Sequence, residues 1–374
     1  MPRTRRSTRA GLALLAAAAV YISVTGVPAQ AVSSAGLASV SGTKVQYKSA
    51  RGKQSAVVLT RSGNTVTIDD RVAIKIGKGC KAVKGDKTKA KCRTSAAPTR
   101  VRVWTYDRKD SIVNRTGLGM TAYAGTGNDK VTGGPRGDYL YGDEGNDKIY
   151  GLAGDDHIFG DEGNDTLYGG DGRDEILDGS GTDVIRGGNG NDWFGGYSGN
   201  DKWYGEAGGD VFSPMQPYGK KEWAADADYF SGGSGRDGVD YRGYSKAVSL
   251  DLDGVKGDDG AKGEKDTIAA DVEDLAGGSG NDRLIGNGAG NWLDGGDGND
   301  VMYGHGGVDD LTGFGGADKM YGGAGDDWLD GREDGDRDTV TDLFDGGAHD
   351  EFGDSCVVKT GARTTGCENF YPSF

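Results

Sequence analysis

The sequence predicts an all-β protein: a parallel β-roll in two blocks, preceded by a small β-rich N-terminal module. Three observations lead there. Glycine supplies 71 of 374 residues, far above the ordinary share of about 7%, yet no G-X-Y period is present, so the glycines serve turns rather than a collagen helix. A nine-residue pattern, G-G-x-G-x-D-x-U-x with U a large apolar residue, runs ten times in register from residue 124. It resumes at residue 277, and short repeats at a fixed period mark a solenoid.

Residues 1–31 read as an export signal. Arg3, Arg5, Arg6 and Arg9 precede an apolar stretch from Gly11 to Val20, and Ala29-Gln30-Ala31 fits a small-residue cleavage site. The mature chain is expected to start near Val32. The apolar stretch is too short to span a bilayer, and no other segment is long enough. Polar Ser7 and Thr8 after Arg5-Arg6 favour the general secretory route over the twin-arginine one.

Residues 32–123 carry 19 Lys or Arg against 5 Asp or Glu, a net charge of +14, whereas residues 124–374 carry 20 against 53, a net of −33. Two regions of opposite sign thus share one chain. In the basic region, alternating runs such as Val72-Ala73-Ile74-Lys75-Ile76 and Val101-Arg102-Val103 read as short strands. This basic β-module is expected to cap the first coil. Its Lys-rich surface either docks against the acidic repeat or adheres to an anionic polymer such as cell-wall phosphate. Only Tyr47, Trp104 and Tyr106 interleave its basic residues as aromatics, so nucleic acid is not an expected partner. Cys80 and Cys92 form one close pair, and Cys356 and Cys367 another. In an exported chain both pairs read as disulfides.

Block 1, residues 124–213, places its aspartates at Asp129, Asp138, Asp147, Asp156, Asp165, Asp174, Asp183, Asp192, Asp201 and Asp210. The apolar residue follows two positions later: Val131, Leu140, Ile149, Ile158, Leu167, Ile176, Ile185, Phe194, Trp203 and Phe212. The glycines allow a tight turn, and x-U-x is a minimal strand with its apolar side chain pointing inward. Two repeats close one coil, and coils stack at about 4.8 Å. Every second aspartate then falls on the same edge, so like charges are forced into columns. Two carboxylates about 5 Å apart repel by roughly 3 kcal/mol at an effective dielectric near 20. Ten apolar side chains at about 2 kcal/mol each cannot offset that repulsion and the ordering of a Gly-rich chain. A hard cation taking six to eight oxygens from carboxylates and turn carbonyls turns the repulsion into a bridge, and this favours Ca²⁺ over Mg²⁺. Folding and calcium binding are expected to be one event.

The nonapeptide resembles the RTX, or haemolysin-type, calcium-binding repeat of secreted bacterial proteins, over most of residues 124–330. The resemblance implies that sixth-position aspartates of successive turns on one edge share a Ca²⁺ with backbone carbonyls. Two departures stand out. Many such proteins leave the cell on an uncleaved C-terminal signal, whereas this chain shows a cleavable N-terminal one. Arg136 and Ala289 each replace a turn glycine and Asn291 replaces an aspartate, so those sites are expected to be weak or empty.

Residues 214–276 break the register with Pro214, Pro217, Tyr218, Trp223, Tyr229 and Phe230, and include a longer strand from Val248 to Leu252 and an acidic loop. Within them lies one isolated repeat, residues 232–240, with Asp237 and Val239. The segment reads as a bulged coil covering its own aromatics, or as a loop that meets a partner. Block 2, residues 277–330, carries Asp282, Asn291, Asp300, Asp309, Asp318 and Asp327. The remaining residues, 331–374, form a C-terminal cap with the second disulfide. There Asp334, Asp336 and Asp338 begin like an EF-hand loop, but Thr339 stands where such a loop needs Gly. Outward positions Tyr139, Tyr141, Tyr150, Phe159, Tyr168 and Tyr204 read as stacked ladders or as a carbohydrate-binding face.

Nothing points to catalysis. The chain has no H-E-x-x-H, G-x-S-x-G or P-loop pattern, and its only histidines are His157, His305 and His349. The expected protein is an extracellular, multi-Ca²⁺, non-catalytic adhesin or surface or matrix component. The alternative is a secreted enzyme acting on polysaccharide or another extracellular polymer.

Overall fold

The computed structural model describes residues 34–215, 226–331, 342–348, 353–358 and 363–372. The export signal, the Asp334–Asp338 motif, His349 and the aromatics Tyr218 and Trp223 lie outside them. The described residues form strands, turns and bends without a helix, so none offers a helix long and apolar enough to cross a membrane.

The chain winds as a parallel β-roll. On one face Leu140 pairs with Ile158, Ile158 with Ile176, Ile176 with Phe194 and Phe194 with Phe212. On the other, Val131 pairs with Ile149, Ile149 with Leu167, Leu167 with Ile185 and Ile185 with Trp203. Each step advances two nonapeptides, as the alternation of the repeat requires. These apolar residues are no more than 1% exposed. Each coil therefore supplies the next with one aliphatic or aromatic contact per face, worth about 2 kcal/mol when fully buried.

The parallel ladder begins before the glycine pattern. Strand Lys44–Lys48 pairs with Arg100–Trp104, which pairs with Gly119–Tyr123, which pairs with Tyr139–Tyr141. On the opposite face Ala56–Ser62 pairs with Ser111–Arg115, and that strand with Lys130–Thr132. The first strand of each ladder also belongs to an antiparallel hairpin: Gly36–Ser41 with Lys44–Lys48, and Ala56–Ser62 with Thr65–Asp69. Beyond the hairpins the second face continues antiparallel, Thr65–Asp69 pairing with Asp86–Arg93, whereas on the first Gly36–Ser41 pairs in parallel with Ile74–Ile76. Cys80 and Cys92 are bonded across one register position of adjacent antiparallel strands. Cys356 and Cys367 are bonded near the last coils.

The interruption at residues 214–276 affects the two faces differently. One face passes through it unbroken, Phe212 pairing with Val239, Val239 with Leu275 and Leu275 with Leu293. The other ends as a sheet at Thr267–Ile268, beside Tyr229–Ser234, and a new sheet starts at Val248–Asp251, which pairs with Arg283–Ile285. Phe230 is fully buried against Trp203 and Phe212, as the bulged-coil reading expects. Outside the roll, Trp104, Tyr123, Tyr141 and Phe159 stack in succession at 5.7, 4.7 and 4.7 Å. Tyr150 stacks on Tyr168 at 4.9 Å. Strand-to-strand spacing alone places rings at the same register face to face.

Candidate calcium centre

Each repeat aspartate stands immediately before its strand and bridges two coils. Its Oδ1 accepts the backbone N–H of the aspartate one coil earlier: Asp129 donates to Asp147 at 2.6 Å, Asp147 to Asp165 at 2.7 Å and Asp165 to Asp183 at 2.6 Å. The second edge repeats this from Asp138 through Asp156, Asp174 and Asp192 to Asp210, at 2.7 to 2.8 Å. All ten aspartates of block 1 are at most 3% exposed. The expected columns are therefore physical lines of buried carboxylates.

Half of each carboxylate is left over. In Asp129, Asp147, Asp156, Asp165, Asp174, Asp183, Asp192 and Asp210, Oδ2 is buried without a hydrogen-bond partner, and the same holds for Asp237, Asp300, Asp309 and Asp327. An anionic oxygen deprived of water and donors costs several kcal/mol unless a proton or cation reaches it. Except in Asp129 and Asp183, whose repeats begin with Ala124 and Asp178, these oxygens turn toward the first glycine of their own repeat, beside a carbonyl of the next coil. A methyl placed on Gly295, for instance, would lie 2.5 Å from Asp300 Oδ2 and 3.1 Å from the Gly313 carbonyl oxygen. Such a cradle, too tight for a Cβ and lined by carboxylate and carbonyl oxygens, suits a hard cation.

The electrostatics agree. Burial pushes the Asp156 and Asp165 carboxyls up to about 8, opposed by the one backbone donor and reinforced by neighbouring aspartates. Asp147, Asp192, Asp237, Asp300 and Asp309 rise to about 7 for the same leading reason. Without a metal, much of the column would hold protons at neutral pH.

The columns are longer than the glycine pattern. Asp110 accepts from Ser55 and donates to Asp129. Asp201 donates to Asp228, and Asp228 to Asp266, across sequence separations of 27 and 38 residues, where the regular step is 18. Asp210 donates to Asp237, so the isolated repeat extends the second edge, and Asp237 donates to Glu273 Oε2. In block 2, Asp282 donates to Asp300 and Asp300 to Asp318, and Asp318 then donates to Asp342. On the opposite edge Asp309 donates to Asp327, and Asp327 to Asp354. Asp110, Asp228, Asp266, Asp342 and Asp354 fall outside the nonapeptide pattern because their turns lack its paired glycines. The triad D-x-U survives in each, ending in the fully buried Ile112, Phe230, Ile268, Phe344 and Cys356.

At two of the degraded repeats the side-chain oxygens are already engaged by donors. Asp138, in the repeat with Arg136, has both oxygens engaged by backbone donors, from Met120 and Gly134. Arg100 donates to the Gly137 and Met120 carbonyls beside it, both at 2.7 Å. A tethered guanidinium thus takes carbonyl oxygens that a cation would use. At Asn291, Oδ1 accepts from Asn287 and Nδ2 donates to the Glu273 carbonyl at 2.9 Å, presenting a donor where a metal ligand must accept.

Comparison with known families agrees with this geometry. The profile of the RTX calcium-binding nonapeptide repeat matches residues 123–158, 132–167, 141–176, 168–202, 177–212, 276–311 and 312–337. No curated protein matches the chain. Over residues 123–212 and 276–337, therefore, the chain carries RTX calcium-binding nonapeptide repeats.

Proposed function

We propose that this is an extracellular, non-catalytic calcium-folded protein, serving as an adhesin or as a surface or matrix component. The observation that carries the reading is the set of buried Asp Oδ2 atoms without donors. Successive aspartates of a column, with the turn carbonyls between them, would hold Ca²⁺, which supplies the positive charge that the folded carboxylates need. Calcium is abundant outside cells, so the roll would complete its folding after export.

His157 supports a structural role. His157 Nδ1 lies 2.7 Å from Glu175 Oε2, and its ring stacks on Tyr139 at 4.6 Å. The stacked rings of the aromatic ladders occupy one another's faces, so a sugar ring finds little platform between them. The basic N-terminal residues favour anionic polymer as the partner. The test is retention of the purified, calcium-loaded protein on cell-wall material, release by chelator, and an assay for polysaccharide breakdown. Calcium-dependent retention without turnover is the expected result. Polymer cleavage would establish the enzyme instead.

A further inference from the structure

One position in block 1 departs from the repeat in a way that adds chemistry. Asp178 stands where the neighbouring repeats have Gly160, Gly169, Gly187 and Gly196 as their first residue. It is buried in the strand Glu175–Ser180, with its side chain inside the roll. Its carboxylate, with those of Asp183 and Asp201, forms a group in which one oxygen from each lies within 4.8 Å of the others. Asp183 and Asp201 are successive members of one column, Asp183 donating to Asp201 Oδ1 at 2.8 Å. Asp183 Oδ2 is fully buried and without a partner.

The surroundings are arranged around the extra carboxylate. A methyl on Gly196, one coil on, would lie 2.5 Å from both Asp178 oxygens and from the Trp203 ring, so that glycine leaves the space Asp178 fills. Trp203 donates its indole N–H to Asp178 Oδ2 at 2.8 Å, and Gly179 donates to Oδ1. A neutral side chain could satisfy the indole equally well. A third carboxylate facing an already unpaired one is unfavourable unless a cation joins them.

We infer that Asp178, Asp183 and Asp201 form a three-carboxylate Ca²⁺ site inside the roll, tighter than the two-carboxylate sites of the columns and filled first. The inference rests on the calcium reading above and adds to it an order of filling. More ligand charge tightens an oxygen site for Ca²⁺, and a first ion here would pin the coils on which Trp203, Phe194 and Phe212 pack together.

The experiment titrates the intact, metal-stripped protein with Tb³⁺, a hard, oxygen-seeking surrogate, under tryptophan excitation, and then with Ca²⁺ in competition. In the wild type the first equivalent should give strong sensitised emission, because the Trp203 indole touches a ligand of the site. Trp203→Phe should lose most of that emission while still binding the ion. Asp178→Asn keeps an acceptor for the indole and should weaken the first binding step by about tenfold or more. Asp178→Gly, which restores the repeat residue, should do the same, and Gly243→Ala, with open space around it, should leave that step unchanged. First-step binding and emission unaltered in both Asp178 variants would overturn the inference while leaving the column sites standing. A wild type that bound no ion at all would overturn both.

Discussion

Replacing Asp165 by Asn should reverse its effect on stability as calcium rises. Asn keeps an acceptor for the Asp147 N–H, which donates to Asp165 Oδ1 at 2.7 Å, and removes only the charge. In the metal-free roll burial pushes the Asp165 carboxyl up to about 8 from 3.8, which at pH 7 corresponds to a cost of up to about 4 kcal/mol that the variant escapes. In calcium the variant loses a ligand from two sites, one shared with Asp147 and one with Asp183. Each filled site adds about 2.7 kcal/mol at a free concentration one hundred times its dissociation constant, so the loss is about 5 kcal/mol. Folding equilibria followed by circular dichroism, in urea above the calcium midpoint and in stabilising osmolyte below it, should therefore give two stability curves that cross. A variant less stable at every calcium level would show that the buried charge carries no cost. One more stable at every level would show that Asp165 is not a ligand.

Acid should act in opposite senses on the two forms. Because the column carboxyls titrate higher when folded, the metal-free roll gains stability below the ordinary 3.8 and loses it as pH rises toward about 8. Calcium must displace the same protons, so calorimetry in buffers of different ionisation heat should show weaker binding and more proton release at pH 6 than at pH 8. Gly163, at φ +142°, has the place of an added Cβ blocked by the Gly145 carbonyl of the previous coil. Gly163→Ala should cost at least about 2 kcal/mol, read as a higher calcium midpoint, while Gly243→Ala, with open space around it, should be near neutral. Arg100→Gln removes the tethered cation beside Asp138 and should raise the calcium needed to order the first coils, measured by hydrogen exchange of Met120 and Ala122.

The periodic part of this fold was legible because each repeat states its own geometry: glycines for the turn, aspartate before the strand, one apolar residue inward. The inward set from Val131 to Phe212 and the two edges of block 1 follow from spacing alone. The ends of the columns were hidden for a physical reason. Asp228 and Asp266 join across 27 and 38 residues, and pairing across an insertion depends on where the loop returns the chain. The parallel ladder through Arg100–Trp104 escaped notice because its turns lack glycine: Tyr106 and Arg108 take φ of 76° instead. Asp178 reads in the sequence as one more glycine lost, and only the fold sets it beside Asp183, Asp201 and Trp203.

The central claim is that buried, donor-less carboxylates make the roll a calcium-dependent fold. It is tested most directly by following β structure by circular dichroism as calcium is added to the metal-stripped protein, with bound metal counted at the end point. The account predicts little β structure in chelator over the repeat region, a cooperative gain at high micromolar to millimolar calcium, and about a dozen or more Ca²⁺ per chain. A full β spectrum in excess chelator, or a count of one or two ions, would contradict it.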